Sequence, residues 1–141
     1  MTWLSSRKGR EQLKKLPRFT AKRRENLALF QRLFRGDNRF IVPRENGKSS
    51  SFCFPIVLNP GLMIDRDRVF AALHDADIKF RIITGGNFLR HDVIQYFDYE
   101  IHRGTTPNAD IAHDRGFFVG NHPFDLSGEI ERLHRVLDKN C

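Results

Sequence analysis

The sequence predicts an α+β fold whose layers resemble those of an α/β protein, with a small sheet of three or four strands packed with helices. Two observations support this prediction. Short apolar runs of strand length alternate with amphipathic runs of helical period, and the 141 residues contain neither an internal repeat nor a low-complexity segment. A chain of this length is expected to form one domain with a substantial core.

The first predicted element is a long amphipathic helix that runs from residue 9 to residue 35. Its apolar residues recur at intervals of three and four, at Leu13, Leu16, Leu27, Phe30 and Phe34. Pro17 would clash with the carbonyl of Leu13, so a kink or a break is predicted there. Gly36 and the two polar residues after it predict the end of the helix.

Strands and helices then follow in alternation. Strands are predicted over residues 39–44, 51–58, 79–84 and 116–120, helices over residues 65–75 and from residue 126 onward, and a short helix or a turn over residues 108–114. Pro55 inside the second strand predicts an edge position or a bulge. Asp65 is the predicted N-cap of the second helix, whose buried stripe includes Val69, Phe70 and Leu73. The last helix presents one apolar face, formed by Leu126, Ile130, Leu133, Val136 and Leu137.

The positive charge of the chain is concentrated near its start. The net charge is +7, and residues 1–35 contain eleven Lys or Arg and two Glu, so that the remainder is nearly neutral. A basic segment of this kind suggests an anionic partner or a surface that faces one. Residues 1–8 are predicted to be a disordered tail, and residues 9–141 are predicted to form the domain.

The composition indicates a cytoplasmic protein. The sequence has no run of eighteen apolar residues, and its first residues lack the apolar core of a secretion signal. Cys53 and Cys141 are too few for a disulfide framework and lack metal-binding spacing. We therefore expect a cytoplasmic location and no membrane partner.

The most informative stretch for function runs from residue 81 to residue 121. A short apolar strand ends there at Gly85-Gly86, where backbone can approach a partner closely. If residues 88–97 form a helix, its first free N–H groups lie at this corner and favour an anionic ligand. Arg81 and Arg90 flank the corner and could clamp a phosphate or a carboxylate. A plain tight turn and surface salt bridges are the alternative explanations.

Other candidate chemistry is incomplete. The six histidines lack the three- or four-residue spacing of a helical metal site, and neither a phosphate-binding glycine motif nor a nucleophile elbow is present. Two carboxylate pairs fall at element ends, where solvated acids are common: Asp75 with Asp77, and Asp98 with Glu100. Three aromatic residues are expected to pack in the core rather than stack on a base: Tyr96, Phe97 and Tyr99.

Several separate segments of the sequence occur together in a fixed order. They are residues 13–19 (LKKLPRF), 23–26 (RREN), 54–56 (FPI), Arg81, 85–87 (GGN) and 116–122 (GFFVGNH). In this order they resemble the C-terminal part of the DegT/DnrJ/StrS sugar aminotransferases. Residues 96–100 and 116–123 are most similar to the GDP-4-keto-6-deoxymannose 3-dehydratases and perosamine synthases of that family. The resemblance covers residues 10–138.

The resemblance implies the C-terminal domain of a fold type I transferase that depends on pyridoxal phosphate (PLP). It also implies action on nucleotide-linked 4-keto sugars in surface-polysaccharide (lipopolysaccharide O-antigen) biosynthesis. In that family the cofactor lysine, or a histidine in the 3-dehydratases, lies in a large N-terminal domain that is absent from this sequence. We therefore expect a truncated or split reading frame, a chain that is inactive and binds no PLP alone, and a separately encoded large domain or a second copy as partner.

The resemblance also implies a set of substrate-binding residues. Carried over residue by residue, Arg81, Gly86, Asn87 and Phe88 lie at the mouth of the pocket and meet the nucleotide sugar. Backbone N–H groups near Gly86 and Asn87 are expected to hydrogen-bond sugar or phosphate oxygens. Neither a catalytic residue nor a metal ligand is expected in this chain.

Two other interpretations remain. The chain could be a small basic nucleic-acid-binding protein that uses residues 7–35, and its binding would then weaken steeply with salt. Leu27, Phe30 and Phe34 argue against this, because they make the second half of that helix a packing element, and no known nucleic-acid motif is present. The other interpretation is a non-catalytic remnant with no selected role.

Overall fold

The structure is a computed structural model that describes residues 3–83, 85–101 and 104–141. Within these residues the α-helices are α1 (Trp3–Phe34), α2 (Arg66–Asp75), α3 (Pro107–Arg115) and α4 (Ser127–Asn140). The strands are β1 (Phe40–Ile41), β2 (Cys53–Leu58), β3 (Phe80–Ile82) and β4 (Gly116–Gly120). Two 3-10 helices, Phe88–Arg90 and Asp92–Tyr96, lie between β3 and α3.

The four strands form one antiparallel sheet in the order β1-β2-β4-β3. β4 lies between β2 and β3, and Val119 is opposite Phe54 on one side and Phe80 on the other. The predicted α+β class and small sheet packed with helices are therefore confirmed.

The core lies between one face of this sheet and the helices α1, α2 and α4. Phe54 and Ile56 of β2 and Phe117 of β4 point to this face and are at most 1% exposed. Phe30 of α1 stacks on Phe54 with ring centroids 4.8 Å apart. Each such side chain contributes roughly 1.5–3 kcal/mol on burial, so this layer accounts for much of the stability of the fold. The predicted apolar faces of α2 and α4 supply Val69, Leu73, Ile130, Leu133 and Leu137 to the same cluster.

Helix α1 differs from its prediction in two ways. It begins at Trp3 rather than at Gly9, so residues 3–8 are helical where a disordered tail is predicted, and residues 1 and 2 lie outside the described residues. The predicted break at Pro17 is wrong, because the helix continues through it to Phe34. Pro17 removes only the hydrogen bond to the Leu13 carbonyl, and that turn is exposed, so water can satisfy this carbonyl. Residues 8–18 of α1 are exposed, and the helix packs in the core through its second half.

Pro55 lies in an interior strand but at a local edge. β1 pairs with β2 only at Leu58 and Val57, so the rest of β2 has a free side toward β1. Asn121 N–H donates to the Phe52 carbonyl over 2.7 Å, which makes Phe54 and Ile56 the hydrogen-bonded positions toward β4. The nitrogen of Pro55 consequently faces the free side, where no N–H is needed. The predicted edge position is thus correct locally, although β2 is not an edge strand of the sheet.

The other predicted elements differ mainly in length. Asp65 caps α2 as predicted, because its Oδ1 accepts hydrogen bonds from the N–H groups of Asp67 and Arg68 over 2.9 and 3.2 Å. β4 occupies the predicted residues 116–120, whereas β1 and β3 are shorter than predicted, and Thr84 at the predicted end of β3 lies outside the described residues. Among the described residues, no helix combines the length and the apolar character needed to cross a membrane.

A buried polar joint fixes α1 against the rest of the domain. Asn26 of α1 and Asn121, which follows β4, are 3% and 1% exposed. Asn26 Nδ2 donates to Asn121 Oδ1 over 3.1 Å and to the carbonyls of His122 and Phe124 over 3.1 and 2.8 Å. Asn121 Nδ2 in turn donates to the Arg23 carbonyl over 3.0 Å. These bonds satisfy turn carbonyls that would otherwise be buried without partners.

Candidate functional site

The diglycine corner is a tight turn closed by an imidazole ring. Gly85 and Gly86 have φ angles of +81° and +47°, in the left-handed region that glycine adopts without strain. A Cβ on Gly86 would lie 2.2 Å from Nδ1 of His113, which belongs to α3. Glycine is therefore required at residue 86 both for its backbone conformation and for the approach of His113.

Asn87 is buried and its hydrogen-bonding groups are used within the chain. It is 4% exposed, and its Nδ2 donates to Thr106 Oγ1 over 3.0 Å and to Asp110 Oδ1 over 2.8 Å. Its Oδ1 accepts from Leu89 N–H over 3.0 Å and so caps the first 3-10 helix. Asn87 thus ties the turn to the start of α3.

The backbone N–H groups of this turn also have acceptors. Gly86 N–H donates to the Ile83 carbonyl over 3.1 Å, and Asn87 N–H donates to His113 Nδ1 over 3.1 Å. The resemblance implies that these two N–H groups bind sugar or phosphate oxygens. In this structure both already have acceptors within the chain and are not available for such a ligand. The reason is local: the 3-10 helix that begins at Phe88 uses Asn87 as its cap, and no α-helix of free N–H groups opens at the corner.

The aromatic side chains after the turn are exposed, which corrects the prediction that they pack in the core. Phe88, Phe97 and Tyr99 are 52–54% exposed, and Tyr96 is 80% exposed. The two 3-10 helices are too short to present a continuous apolar stripe, and His91 between them is extended, with φ −96° and ψ 137°. Phe88 and Phe97 contact each other at a centroid distance of 6.1 Å. The segment thus exposes an aromatic surface beside the turn.

Arg81 and the diglycine turn lie at different cavities. Arg81 of β3 is exposed and lines a groove of about 380 Å³ between the end of the sheet and α4. Phe80, His122, Arg132 and Leu133 also line this groove. Asn87 instead lines a second, shallower depression of about 500 Å³ with Thr106 and Asp110. The structure therefore keeps Gly86, Asn87 and Phe88 together and places Arg81 apart from them.

The two arginines that flank the corner differ in their partners. Arg90 binds the Asp114 carboxylate over 2.6 Å and lies 3.9 Å from Asp110. This hydrogen bond from Arg90 lowers the pKa of Asp114. Arg90 therefore forms surface salt bridges, the alternative weighed from the sequence. Within the described part of the chain, Arg81 forms no salt bridge, so its charge can serve a ligand.

The remaining candidates from the sequence do not assemble a reactive centre. Asp75 and Asp77 are solvated, and Asp77 pairs with Lys79 over 2.8 Å. Asp98 and Glu100 are also exposed. Among residues 3–83, 85–101 and 104–141, no three His, Cys, Asp or Glu side chains cluster as metal ligands would. Burial raises the pKa of both thiols, that of Cys141 to about 11, which makes them poor nucleophiles.

The sequence does not predict the residues that hold the turn in place. His113, Thr106 and Asp110 come from α3 and the residue before it, and they all contact the segment that contains Gly86 and Asn87. Polar residues on a helix near a glycine-rich turn could have indicated such contacts. The sequence does not show that the two segments are neighbours, because they are brought together by the antiparallel pairing of β3 with β4.

The chain is similar to two curated 3-dehydratases. It is 40% identical over 132 residues to a GDP-4-keto-6-deoxy-D-mannose 3-dehydratase of Yersinia pseudotuberculosis, covering 93% of this chain and 33% of the relative. It is 41% identical over 130 residues to the enzyme of the same description from Escherichia coli O55:H7. The chain thus spans about a third of the length of the curated relatives it matches.

Solved structures give the same result. The E. coli GDP-4-keto-6-deoxy-D-mannose 3-dehydratase with bound hydrated PLP superimposes with a TM-score of 0.87 at 41% identity, over 92% of this chain and 33% of that one. A Helicobacter pylori aminotransferase involved in the biosynthesis of pseudoaminic acid superimposes with a TM-score of 0.75 at 19% identity, which shows the shared fold. No relative of either kind supports a nucleic-acid-binding role for residues 7–35.

No lysine in the described part of the chain has surroundings that suit a PLP-carrying residue. A lysine that carries PLP needs a buried position, where its amine loses charge readily. None of the lysines in the described residues is buried, and Lys79, which lines the groove, has a side chain that is 92% exposed and paired with Asp77. Lys14 and Lys22 form i,i+3 pairs with glutamates on α1. No step of PLP chemistry can therefore be assigned to these residues.

The fold and the relatives agree on one family. Residues 1–137 match the model of the DegT/DnrJ/EryC1/StrS aminotransferase family, which is nearly the whole chain. The resemblance drawn from the sequence motifs is thereby confirmed. The chain belongs to the DegT/DnrJ/EryC1/StrS aminotransferase family.

Proposed function

We propose that this chain forms the C-terminal, substrate-facing part of a PLP-dependent nucleotide-sugar dehydratase or aminotransferase. The supporting observation is 40–41% identity, over 92–93% of the chain, to two GDP-4-keto-6-deoxy-D-mannose 3-dehydratases. The proposed substrate is a GDP-linked 4-keto-6-deoxy sugar, used in the cytoplasm for surface polysaccharide such as lipopolysaccharide O-antigen. The cofactor-binding centre belongs to a large domain outside these 141 residues.

Two surfaces support the need for such a complement. The first half of α1 exposes Leu13 and Leu16, which are 64% and 53% exposed and lie one turn apart. The segment after the diglycine turn exposes Phe88, Phe97 and Tyr99. Apolar surface of this extent is typical of interaction sites. Both surfaces are candidates for contact with a separately encoded large domain or with a second copy of the chain.

The predicted substrate residues have different proposed roles. Arg81 has a charge available at the groove and would bind a phosphate oxygen. Phe88 is half exposed and would contact the substrate with its ring. Gly86 and Asn87 would act by fixing the turn from which Phe88 projects. Because Arg81 lies apart from this turn, Arg81 and Phe88 would each bind the substrate together with residues of the complementary domain.

Reconstitution of activity from two polypeptides tests the proposal. The chain would be mixed with the N-terminal part of the Yersinia relative that it does not match, together with PLP and glutamate, which a related structure holds as a PLP-glutamate adduct. We expect the mixture to consume GDP-4-keto-6-deoxy-D-mannose and each part alone to be inactive. Co-purifying parts that remain inactive on this substrate would contradict the proposal.

An arginine variant in the same assay tests the substrate side. Arg81→Ala should raise KM about tenfold or more, since a hydrogen bond between charged groups is lost. Lys79→Ala is the matched control, because Lys79 lines the same groove but is already paired with Asp77. Equal KM values for the two variants would remove Arg81 from the substrate site.

A further inference from the structure

The turn at Gly85 and Gly86 is held by two histidines. His113 Nδ1 accepts the Asn87 N–H over 3.1 Å from its position on α3. His91 Nε2 lies 2.6 Å from the Gly85 carbonyl, to which it donates. The two rings are 6.4 Å apart, nearly perpendicular to each other. In the loop of residues 85–91, called the turn loop below, His91 thus joins the last residue to the first, and His113 holds Asn87 in the middle.

The contact at Asn87 fixes the protonation state of one ring. A backbone N–H can only donate, so Nδ1 of His113 must carry a free lone pair and its proton must be on Nε2. Protonation of the ring turns Nδ1 into a second donor that faces the Asn87 N–H. The hydrogen bond is then lost and two N–H groups oppose each other. Histidine is the side chain that makes this change between about pH 5 and 8.

Charged groups on three elements surround His113. Asp110 and Asp114 belong to α3, Arg90 and His91 belong to the turn loop, and Arg66 of α2 donates to the Asp114 carbonyl over 2.7 Å. Both carboxylates favour a protonated ring, but Arg90 already binds Asp114, and Asp110 already accepts from Asn87. His91 and the two arginines oppose a further positive charge.

We propose that His113 is a positioning residue that holds the turn loop in place when it is unprotonated and releases it when it is protonated. Release would free the Asn87 N–H. It would also let Gly86 move away from the His113 ring, which lies within 3 Å of the position that a Cβ on Gly86 would occupy. The consequence for catalysis rests on the proposed function, in which Gly86, Asn87 and Phe88 face the substrate. The hydrogen bond itself can be tested without any substrate.

Nuclear magnetic resonance of the 141-residue chain tests the hydrogen bond. The Asn87 amide and the His113 ring nitrogens would be followed from pH 8 to pH 5. We expect both to titrate together, an unprotonated Nδ1 at pH 8, and about a tenfold loss of Asn87 amide protection from hydrogen exchange once the ring is protonated. A protonated Nδ1 at pH 8, or an Asn87 amide that does not follow the ring, would overturn the proposal.

Variants separate this role from a purely structural one. His113→Asn supplies a carbonyl oxygen near the position of Nδ1 that accepts at every pH, so the Asn87 amide should stay protected at pH 5. His113→Ala should lose the protection at both pH values. His74→Asn is the control, because His74 on α2 is fully solvated and should leave the wild-type titration unchanged. If His113→Asn keeps the wild-type pH dependence, the proposal is wrong.

The reconstituted enzyme gives an independent measurement. Its KM should rise as the pH falls from 8 to 5 with His113, and this rise should be absent with His113→Asn. If the amide titrates as expected but no mixture is active, the proposed function fails while the role of His113 stands. If the mixture is active and both KM profiles coincide, His113 has no positioning role in binding.

Discussion

At the scale of single residues, two buried asparagines set the position of α1. Asn26 and Asn121 together supply amide groups to carbonyls in α1, in the segment just before β2 and in the turn before α4. Neither asparagine stands out in the sequence as a buried residue, because isolated polar positions on a helix usually face solvent. Their burial follows from the meeting of three chain segments, of which the first and the last are 95–98 residues apart.

Removing one of these amides should destabilise the domain strongly. Asn26→Ala leaves Asn121 Oδ1 and the carbonyls of His122 and Phe124 without their donor, so we expect a loss of about 2–3 kcal/mol in the free energy of unfolding. Denaturant unfolding measures this loss. Asn38→Ala is the control, because Asn38 is exposed and its carbonyl, which accepts from Asn59, remains. Equal stability of both variants would contradict the role of the joint.

A second residue-scale prediction concerns pH. The hydrogen bonds from Arg39 lower the pKa of Asp37, whose side chain is 15% exposed. Asp37 therefore stabilises the fold above the carboxyl pKa of the unfolded chain, near pH ~4, and this stabilisation is lost as the pH falls through the lower folded value. Asp37→Asn should cost about 1–2 kcal/mol at pH 7, in the range for hydrogen bonds to charged groups, and much less at pH 2.

Urea unfolding of both proteins at the two pH values checks this prediction. Lys79→Gln is a suitable control, since the pair of Lys79 with Asp77 is fully solvated and should contribute little at either pH. If Asp37→Asn lowers the free energy of unfolding equally at pH 7 and pH 2, the effect cannot be assigned to ionised Asp37.

At the scale of elements, the sequence predicts those helices and strands whose start and end are determined by residues within a few positions. Asp65 begins α2 because its own carboxylate accepts hydrogen bonds from the first N–H groups of the helix. The consecutive apolar residues of β4 likewise predict a strand from the local sequence alone. Predictions fail where the outcome depends on distant packing. The 88–97 segment is an example, because it forms 3-10 helices whose start is fixed by Asn87 and α3. The prediction at Pro17 fails for a different reason, which is that its turn is exposed and α1 continues through it. The positions of Arg81 and His113 also depend on strand pairing, which the sequence does not reveal.

The exposed half of α1 should drive self-association in isolation. Leu13→Gln together with Leu16→Gln removes two apolar side chains that are more than half exposed, so we expect any dimer dissociation constant to rise about tenfold or more. Sedimentation velocity over a range of concentrations measures it. Ala21→Gln on the same helix is the control, because Ala21 is exposed and small. If both proteins associate equally, this stripe is not the contact surface.

At the scale of the whole molecule, the described residues form a packed core and three open surfaces, and no three of their His, Cys, Asp or Glu side chains cluster as metal ligands would. One sheet face and three helices form a closed core, whereas the groove at Arg81, the turn at Gly86 and the first half of α1 are all open to solvent. These open parts are where a larger enzyme would add its own groups. We therefore propose that the chain is one lobe of a two-lobed enzyme.

The most direct measurement is the absorbance spectrum of the purified chain after incubation with PLP and removal of free cofactor by gel filtration. The account predicts no protein-bound cofactor band at wavelengths longer than the absorbance of the aromatic side chains for the chain alone, and a stable band when the large-domain polypeptide is added. A stoichiometric band on the chain alone that survives gel filtration would contradict the central claim that this lobe lacks the cofactor site.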